Sequence, residues 1–290
     1  MILIHFLNIL ANVCIIIKDS HIIIKICRRR TKMKKSVIAV LLAMLLVFSL
    51  SACGGSDDSG SGDTVVYKVG TEPTFPPFDT TDDNQNIVGL DMDLIKAIGE
   101  DQGFEVKFEN LSFDGLIPAL KAGNIDIVAA GMNKDDPERQ KEVDFSDSYY
   151  DSQLYVAVTV DNDSITSIDD LTPDMKVAAQ TGTTGAEKVK ELKEEGKIKE
   201  AVILDGLDTV MMQLINGDVS AVINDKPVTE AYMKKQPDKI KMVGDALNAE
   251  SYGFAVQKGN DELLKKINDG LKNIKEDGTF DKLVDEWFNK

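Results

Sequence analysis

The sequence of 290 residues contains no histidine after His21 and no cysteine after Cys53. Without cysteine, the downstream chain forms no internal disulfide, so its fold depends on a hydrophobic core. Without histidine, it has no Ser-His or Cys-His nucleophilic pair and lacks the commonest zinc ligand. These absences weigh strongly against a hydrolase and leave only carboxylate-based chemistry open. We expect neither a metal nor another cofactor.

The charge of the chain is strongly acidic downstream of a basic N-terminus. The whole sequence has a formal net charge of −16, and residues 1–52 carry +7, so the remainder carries −23. Such a surface argues against a nucleic-acid or acidic-membrane partner. It does not by itself indicate a cationic ligand, because a solvated acidic surface is ordinary.

The segment from Met33 to Cys53 has the layout of an export signal. Basic residues are followed by an apolar run over residues 37–48 and by small residues that end at Cys53. The run is shorter than the ~20 residues that a membrane span needs. We therefore predict an export signal region over residues 1–52. Its end resembles the lipobox of bacterial lipoproteins, which implies acylation of Cys53 (palmitate, for example) and attachment to the membrane.

Two segments flank this signal. Residues 2–26 are apolar with polar interruptions, and they are either an added membrane segment or sequence upstream of the true start at Met33. We favour the start at Met33, because a complete signal peptide seldom lies inside a longer signal.

After Cys53, residues 56–63 contain only Gly, Ser and Asp. We predict residues 53–63 as a lipidated cysteine followed by a flexible tether.

From Thr64 onward, strand and helix patterns alternate. Residues 65–69 alternate as a strand that Gly70 is expected to end, and Leu90 opens a helical spacing over residues 90–98. Further predicted strands lie at residues 104–108, 125–129, 176–179, 201–204 and 219–223, with helices at residues 113–122, 208–215 and 261–288. This order predicts an α/β fold with largely parallel sheets. A recurring helix, glycine turn and strand, at residues 116–126 and 211–220, indicates two lobes of similar construction.

Seven motifs occur in order along residues 66–288. They are VGTE through PPF at residues 69–78, VGLDMDL at 88–94, FDGLIPAL at 113–120, PER at 137–139, VDFS at 143–146, QTGTT at 180–184, and DGTF with WF at 277–288. In these motifs the chain resembles the bacterial extracellular solute-binding proteins of the polar amino acid type.

The resemblance implies a two-lobed, type II periplasmic-binding-protein-like fold whose chain crosses twice between the lobes. We expect lobe 1 at residues 64–156 and 252–290 and lobe 2 at residues 157–251. The hinge is expected in the two crossing strands, near residues 154–156 and 252–255. It further implies a monomeric, non-enzymatic component of an amino acid ABC importer. That protein is lipid-anchored at the extracellular face of the membrane, binds a polar or basic amino acid, and works with a permease and an ATPase. An alternative on the same fold is an enzyme resembling cyclohexadienyl or arogenate dehydratases, with Glu72 or Asp225 as general acid.

Arg139 is the first candidate ligand contact. It follows Asp136 and Pro137, which suit a helix N-cap and first turn, and an arginine beside free helix amides suits a carboxylate. The resemblance assigns the matching arginine to the ligand's α-carboxylate. The alternative is a surface arginine paired with Asp135, Asp136 or Glu138.

The loop before Arg139 departs from the family pattern. One extra residue separates Gly131 from Arg139, and Asp136 replaces a usual threonine. We expect Gly131 to let backbone approach the ligand, and we predict Asn133 as a contact on the carboxylate side.

Two further candidates come from the second half. Thr183 and Thr184 open a helix after Gly182, and they either bind the carboxylate or only cap the helix.

Asp225 follows a strand whose carboxyl end is the usual side for ligands in α/β sheets. The resemblance assigns the matching aspartate to the α-ammonium group, and the alternative is an N-cap for the helix at Pro227.

Glu72, Phe75 and Phe113 complete the predicted pocket. The two rings either sandwich a ligand side chain or pack in the core. Glu72 is expected to accept hydrogen bonds from a polar or basic group. Other aspartates at predicted helix starts and turns are expected to be structural caps; they are Asp91, Asp93, Asp144 and Asp147.

Overall fold

The computed structural model of the protein describes residues 64–289. The predicted export signal, the lipidation site at Cys53 and the tether up to residue 63 lie outside the described residues. Within residues 64–289, no helix combines the length and apolar character needed to cross a membrane.

Strands and helices alternate through this part of the chain, which confirms the α/β prediction. The strands are β1 (Val65–Thr71), β2 (Thr80–Thr81), β3 (Ile87–Val88), β4 (Phe104–Asn110), β5 (Ile127–Val128), β6 (Val143–Phe145), β7 (Tyr150–Ser152), β8 (Leu154–Thr159), β9 (Lys176–Gln180), β10 (Glu200–Leu204), β11 (Ala221–Asp225), β12 (Ile240–Val243), β13 (Glu250–Tyr252) and β14 (Ala255–Gln257). The helices are α1 (Leu90–Gln102), α2 (Phe113–Lys121), α3 (Pro137–Glu142), α4 (Thr184–Glu194), α5 (Leu207–Asn216), α6 (Lys226–Lys235), α7 (Asp261–Glu276) and α8 (Thr279–Phe288).

Two five-stranded sheets of matching design organise the described residues. The first has the order β4-β1-β5-β14-β6, and the second has the order β10-β9-β11-β8-β12. In the first, β1 runs parallel to β4 and β5, and β14 runs antiparallel to β5 and β6. In the second, β9 runs parallel to β10 and β11, and β8 runs antiparallel to β11 and β12. The carboxyl ends of the parallel strands therefore form comparable edges in the two sheets.

The chain passes between the two sheets along two neighbouring strands. It leaves the first sheet after β6 and returns to it at β14, and the intervening strands β7 and β13 pair with each other in a separate two-stranded ladder. The expected lobe boundary at residue 156 falls inside β8, all of whose residues pair within the second sheet. The β7–β13 ladder thus lies at the two crossings.

Helix packing supplies the core around each sheet. Along α1, Leu90, Leu94 and Ile98 recur at every fourth position and are fully buried, as expected for one face of a helix. The helix packs against α7 and α8. Gly270 of α7 permits the close approach, because a Cβ there would lie 2.8 Å from Ile98 Cγ2. In the second half, α4 and α5 pack on β9, β10 and β11.

Two predicted boundaries near the later site were wrong. β1 does not end at Gly70 but continues through Thr71. Gly70 fits inside the strand because its missing side chain leaves room for Ile125, whose Cδ1 would lie 2.4 Å from a Cβ. The strand predicted at residues 219–223 lies instead at Ala221–Asp225, since pairing with β8 extends as far as Asp225. Asp225 is therefore the last residue of its strand.

Candidate functional site

A small cavity lies where residues from both sheets meet. Eight of the nine predicted site residues line it, and Glu72 is the exception. The lining is Phe75, Phe113, Gly131, Asn133, Arg139, Thr183, Thr184, Asp225 and Glu250. Its volume is about 10 Å³, which suffices for about one water molecule. The side chains around it must therefore move before a larger molecule enters.

Arg139 defines what we call the arginine end of the cavity. Asp136 is the N-cap of α3, and its carboxylate accepts from the backbone N–H of Glu138 and of Arg139. The other carboxylate oxygen lies 3.2 Å from Arg139 Nε. Arg139 is only 8% exposed, so it is not the surface arginine of the alternative. The partner expected there, Asp136, nevertheless binds it.

The outer nitrogens of Arg139 reach both halves of the molecule. Nη1 donates to the carbonyl oxygen of Asn133 at 3.2 Å, and Nη2 donates to the carbonyl oxygen of Gly182 at 2.9 Å. Burial lowers the pKa of the guanidinium, and Asp136 opposes that change. Since a guanidinium carries five N–H donors, Nη1 and Nη2 each have a second N–H besides these bonds. That geometry suits a carboxylate held by two parallel bonds.

The loop before α3 holds Gly131 and Asn133 in place. Gly131 has φ of +52°, a conformation that favours glycine, and a Cβ there would lie 2.7 Å from the Phe75 ring. Its N–H donates to Asp91 Oδ2 at 2.7 Å. The Asn133 side-chain oxygen accepts from the backbone N–H of Asp135 and of Ser251. These hydrogen bonds hold the loop in place, and Gly131 and Asn133 both line the cavity.

Asp91 acts differently from the helix cap that its sequence position suggested. It is fully buried, and Oδ2 accepts from Tyr149 Oη at 2.8 Å as well as from Gly131. Burial raises the pKa of Asp91 to about 7. The side chain thus supports the loop that carries Gly131 from within the first half of the molecule.

The two threonines lie at the start of α4, as predicted. Thr183 is the N-cap, and its hydroxyl accepts from the N–H of Ala186 at 3.1 Å and donates to the carbonyl of Gln180 at 2.8 Å. Thr183 therefore caps α4 and also lines the cavity. Thr184, the first helical residue, lines it too, so the positive end of α4 faces the arginine end.

Asp225 defines the opposite, carboxyl end of the cavity. Its Oδ1 accepts from Tyr252 Oη at 2.5 Å and from Ser152 Oγ at 3.1 Å. Although Asp225 occupies the N-cap position of α6, its side chain makes no capping bond. Capping therefore does not account for this carboxyl group. Burial, reinforced by the neighbouring Glu250, raises the pKa of Asp225 to about 8.

Glu250 is the site residue that the sequence analysis missed. It lines the same cavity, is 3% exposed, and accepts from Asn248 Nδ2 at 2.8 Å. Tyr252, two residues later, was expected only as the first residue of the second crossing strand, residues 252–255. That strand was the nearest signal in the sequence, because Glu250 lies two residues before it.

Glu72 lies beside the cavity rather than on its lining. It is buried, and Oε2 accepts from Thr74 Oγ1 and from Gln180 Nε2, both at 2.8 Å. Burial raises the pKa of Glu72. Because Glu72 follows β1 and Gln180 ends β9, this bond joins the two halves of the molecule.

The two aromatic residues frame the cavity from the first half. Phe75 is buried and contacts Tyr252 at a centroid distance of 6.3 Å. Phe113 opens α2, and the Arg139 guanidinium carbon lies 5.4 Å from its ring centroid. That distance fits a cation–π contact. The cavity lining thus combines a cation, carboxyl groups and two apolar rings, a set of groups suited to a zwitterion.

Comparison with known proteins identifies relatives of the whole described region. The family model of the bacterial extracellular solute-binding proteins, family 3, matches residues 67–290. A putative ABC transporter arginine-binding protein 2 of Escherichia coli (strain K12) is 36% identical over 264 residues, covering 89% of this chain and 100% of that protein.

Solved structures agree with these matches. An ancestral arginine-binding protein bound to arginine has 44% identity and a TM-score of 0.73, covering 77% of this chain and 98% of that one. An ancestral amino acid-binding protein, a precursor of cyclohexadienyl dehydratase, has 39% identity and a TM-score of 0.71, covering 77% and 95% of the two chains. The predicted two-lobed fold class is thereby confirmed.

Proposed function

This chain belongs to the bacterial extracellular solute-binding proteins, family 3, and from that premise we propose that it captures an amino acid outside the cell for an ABC importer. The observation that carries the proposal is that a guanidinium and a carboxyl group line one small cavity. Arg139 suits the α-carboxylate, and Asp225 suits the α-ammonium group. Burying such charges is costly unless they are paired, so a zwitterion matches them better than an apolar or purely anionic ligand.

The other predicted site residues fit supporting roles in this proposal. Thr183 and Thr184, at the N-terminus of α4, take the second side of the carboxylate, with Gly131 and Asn133 on the loop opposite. Phe75 and Phe113 flank the ligand's side chain. Glu72 lies beside the cavity, and its buried carboxylate favours a polar or basic side chain. The arginine-binding relatives support a ligand of that class.

Opening of the two proposed lobes gives the ligand a way into the cavity. We assign each five-stranded sheet to one lobe and the β7–β13 ladder to the hinge, with the first boundary at the start of β8. The lobes touch through Arg139 with Gly182, Glu72 with Gln180, and Thr74 Oγ1 with the N–H of Leu207 at 3.0 Å. Opening breaks these bonds, and a ligand that bridges both lobes favours closure by its differential affinity for the closed form.

The remaining parts of the proposal follow from the N-terminal sequence and the family. Acylation of Cys53 after signal removal tethers the protein to the outer face of the membrane. The closed monomer then docks on a permease that a separate ATPase drives. Growth in labelled palmitate, followed by intact-mass analysis of wild type and Cys53→Ser, tests the anchor. Loss of lipid mass in the variant is the expected result.

Binding is tested by isothermal titration of the purified protein with each standard amino acid. We expect one polar or basic amino acid to bind best. Arg139→Gln should weaken it at least about 30-fold, because truncating a buried charge partner costs about 2 kcal/mol or more. Lys141→Gln, on the exposed side of the same helix, is the matched control and should bind as wild type does. The proposal fails if no amino acid binds, or if both variants bind equally well.

A dehydratase activity is the second candidate, favoured by one observation. With a pKa near 8, Asp225 keeps its proton at neutral pH, as a general acid requires. One structural neighbour is itself a precursor of cyclohexadienyl dehydratase. Incubation with prephenate or arogenate decides the matter: formation of the aromatic product supports the enzyme, and its absence leaves binding alone.

A further inference from the structure

The carboxyl end of the cavity holds two carboxyl groups, whereas a single ligand ammonium needs one. Asp225 is 5% exposed and Glu250 is 3% exposed, and both line the cavity. If both carboxyl groups were ionised, the ligand's ammonium group would neutralise only one of the two negative charges.

The β7–β13 ladder brings the two groups together. Glu250 pairs directly with Ser152 across the ladder, so their side chains project from the same face as close neighbours. Tyr252, two residues along β13, projects from that face as well. Ser152 Oγ and Tyr252 Oη both donate to Asp225 Oδ1. Glu250 therefore flanks Asp225 on the same surface that holds it.

The surroundings supply little free positive charge to this pair. Tyr252 of β13 is neutral, because burial raises its pKa well above the usual value. Across the cavity, Arg139 of α3 interacts favourably with Glu250 and Asp225, but it is already paired with Asp136, and Glu187 of α4 adds a further negative charge on that side. Lys226 of α6 lines a neighbouring surface pocket together with Glu250, and its ammonium group lies 3.9 Å from the carboxylate of Glu230. Two adjacent buried carboxyl groups do not both ionise readily under such conditions.

We propose that Asp225, next to Glu250, carries a proton before the ligand arrives, and that the α-ammonium group of an arriving amino acid displaces this proton into the solvent. No covalent bond changes in this exchange: the ligand keeps its ammonium form, and the buffer takes the proton. The inference rests on the proposed amino acid binding and adds a residue, Glu250, to the groups that recognise the ligand. Binding is then coupled to proton release.

The sign of the coupling follows from the charges. An ammonium group within about 4–6 Å lowers the pKa of a carboxyl by roughly 1 to 3, and the pKa of Asp225 starts at about 8. At pH 7.5 Asp225 is therefore mainly protonated before binding and mainly ionised after it. We expect release of roughly 0.5 to 0.8 proton per ligand, and an affinity that rises between pH 6 and pH 8.

The experiment is isothermal titration of the purified protein with L-arginine and with L-glutamine at pH 7.5. Each titration is run in phosphate and in Tris, whose heats of ionisation differ. The difference in apparent binding enthalpy gives the number of protons released. Both ligands carry an α-ammonium group, so whichever binds should release the proton.

Two variants separate Glu250 from a general charge effect. Glu250→Gln removes the partner carboxyl, so Asp225 alone faces the ammonium, and release should fall at least threefold while the pH dependence flattens. Asp151→Asn is the matched control. It removes an exposed carboxylate from β7 that projects from the opposite face of the same ladder, and it should release protons as wild type does.

The outcomes are distinguishable. Ligand binding without a buffer-dependent enthalpy in the wild type overturns the inference and leaves the proposed function standing, whether or not the variants fold. Equal proton release from Glu250→Gln and wild type overturns it too. If neither amino acid binds to the wild type, the inference falls together with the proposed function.

Discussion

The arginine end and the carboxyl end of the cavity differ in where their supporting groups come from. Arg139 is supported mainly by its own segment, through Asp136 three residues earlier and Asn133 six residues earlier. Asp225 is supported by Ser152 and Tyr252, 73 and 27 residues away along the chain. A local motif thus makes one end, and the β7–β13 ladder makes the other.

The two ends also differ in charge balance. The guanidinium of Arg139 has the carboxylate of Asp136 at salt-bridge distance. Asp225 has neutral hydroxyl donors and a second carboxyl, Glu250, as neighbours. Removing a negative charge should therefore lower the stability of the fold at the arginine end and raise it at the carboxyl end. Four predictions test that difference.

Asp136→Ala should have the largest effect. It leaves the buried guanidinium without its carboxylate and removes the N-cap of α3, so unfolding should become easier by about 3–5 kcal/mol. Thermal or urea unfolding measures the change. Asp135→Ala is the control, because that exposed carboxylate forms only a surface ion pair with Lys134. Equal destabilisation by the two changes would contradict the local account of the arginine end.

Asp225→Asn should act in the opposite direction. The pKa of Asp225 is raised in the folded protein, so its contribution to stability is present near pH 4 and is lost as pH rises towards about 8. The variant does not lose this stability, because an amide side chain does not ionise as the pH rises. We expect the stability of the variant relative to wild type to increase by on the order of 3 kcal/mol between pH 5 and pH 8.5, and the variant to exceed wild type at pH 8.5.

Melting curves at the two pH values check this, with exposed Asp218→Asn as control. A variant that is less stable than wild type at pH 8.5 would contradict the prediction. Ligand binding by Asp225→Asn should be lost even though the fold is more stable.

Tyr252→Phe should change the stability of the fold by less than either of these substitutions. It removes the hydroxyl that donates to Asp225 and leaves the ring contacts with Phe75 and Phe78. The loss of one buried hydrogen bond to a carboxyl is worth about 1.5–3 kcal/mol when that carboxyl is ionised. Stability should therefore fall more at pH 8.5 than at pH 5. Tyr67→Phe, whose ring packs on Phe104, should show no such pH dependence.

Thr183→Ala should have the smallest effect, at the arginine end. Loss of the N-cap of α4 costs about 1 kcal/mol, to be read from urea unfolding. Thr181→Ala, which removes only an exposed bond to Asp205, should change stability by less than about 0.5 kcal/mol. Similar losses from both would mean that Thr183 does not cap the helix in solution.

The same difference explains what the sequence allowed us to predict. The arginine end follows from short-range rules, since an Asp-Pro pair starts a helix and places Arg139 one turn in. Asp225 was found because it lies at the carboxyl end of a strand. Glu250, Ser152 and Tyr252 were not predicted, because only the pairing of β7 with β13, about 100 residues apart, brings them to the cavity. Glu72 was predicted from the resemblance, and its bond to Gln180 depends on how the two halves meet.

Arg139 is the only arginine after residue 30, and it is 8% exposed in the closed cavity. Every other cation beyond that point is a lysine, which dicarbonyl reagents such as phenylglyoxal modify far less readily than a guanidinium. Among residues 31–290, Arg139 is therefore a built-in chemical reporter at the candidate site. In a protein without residues 1–52, the rate at which phenylglyoxal consumes that one guanidinium would measure how often the proposed opening occurs, without a dye, an added cysteine or any other change to the chain.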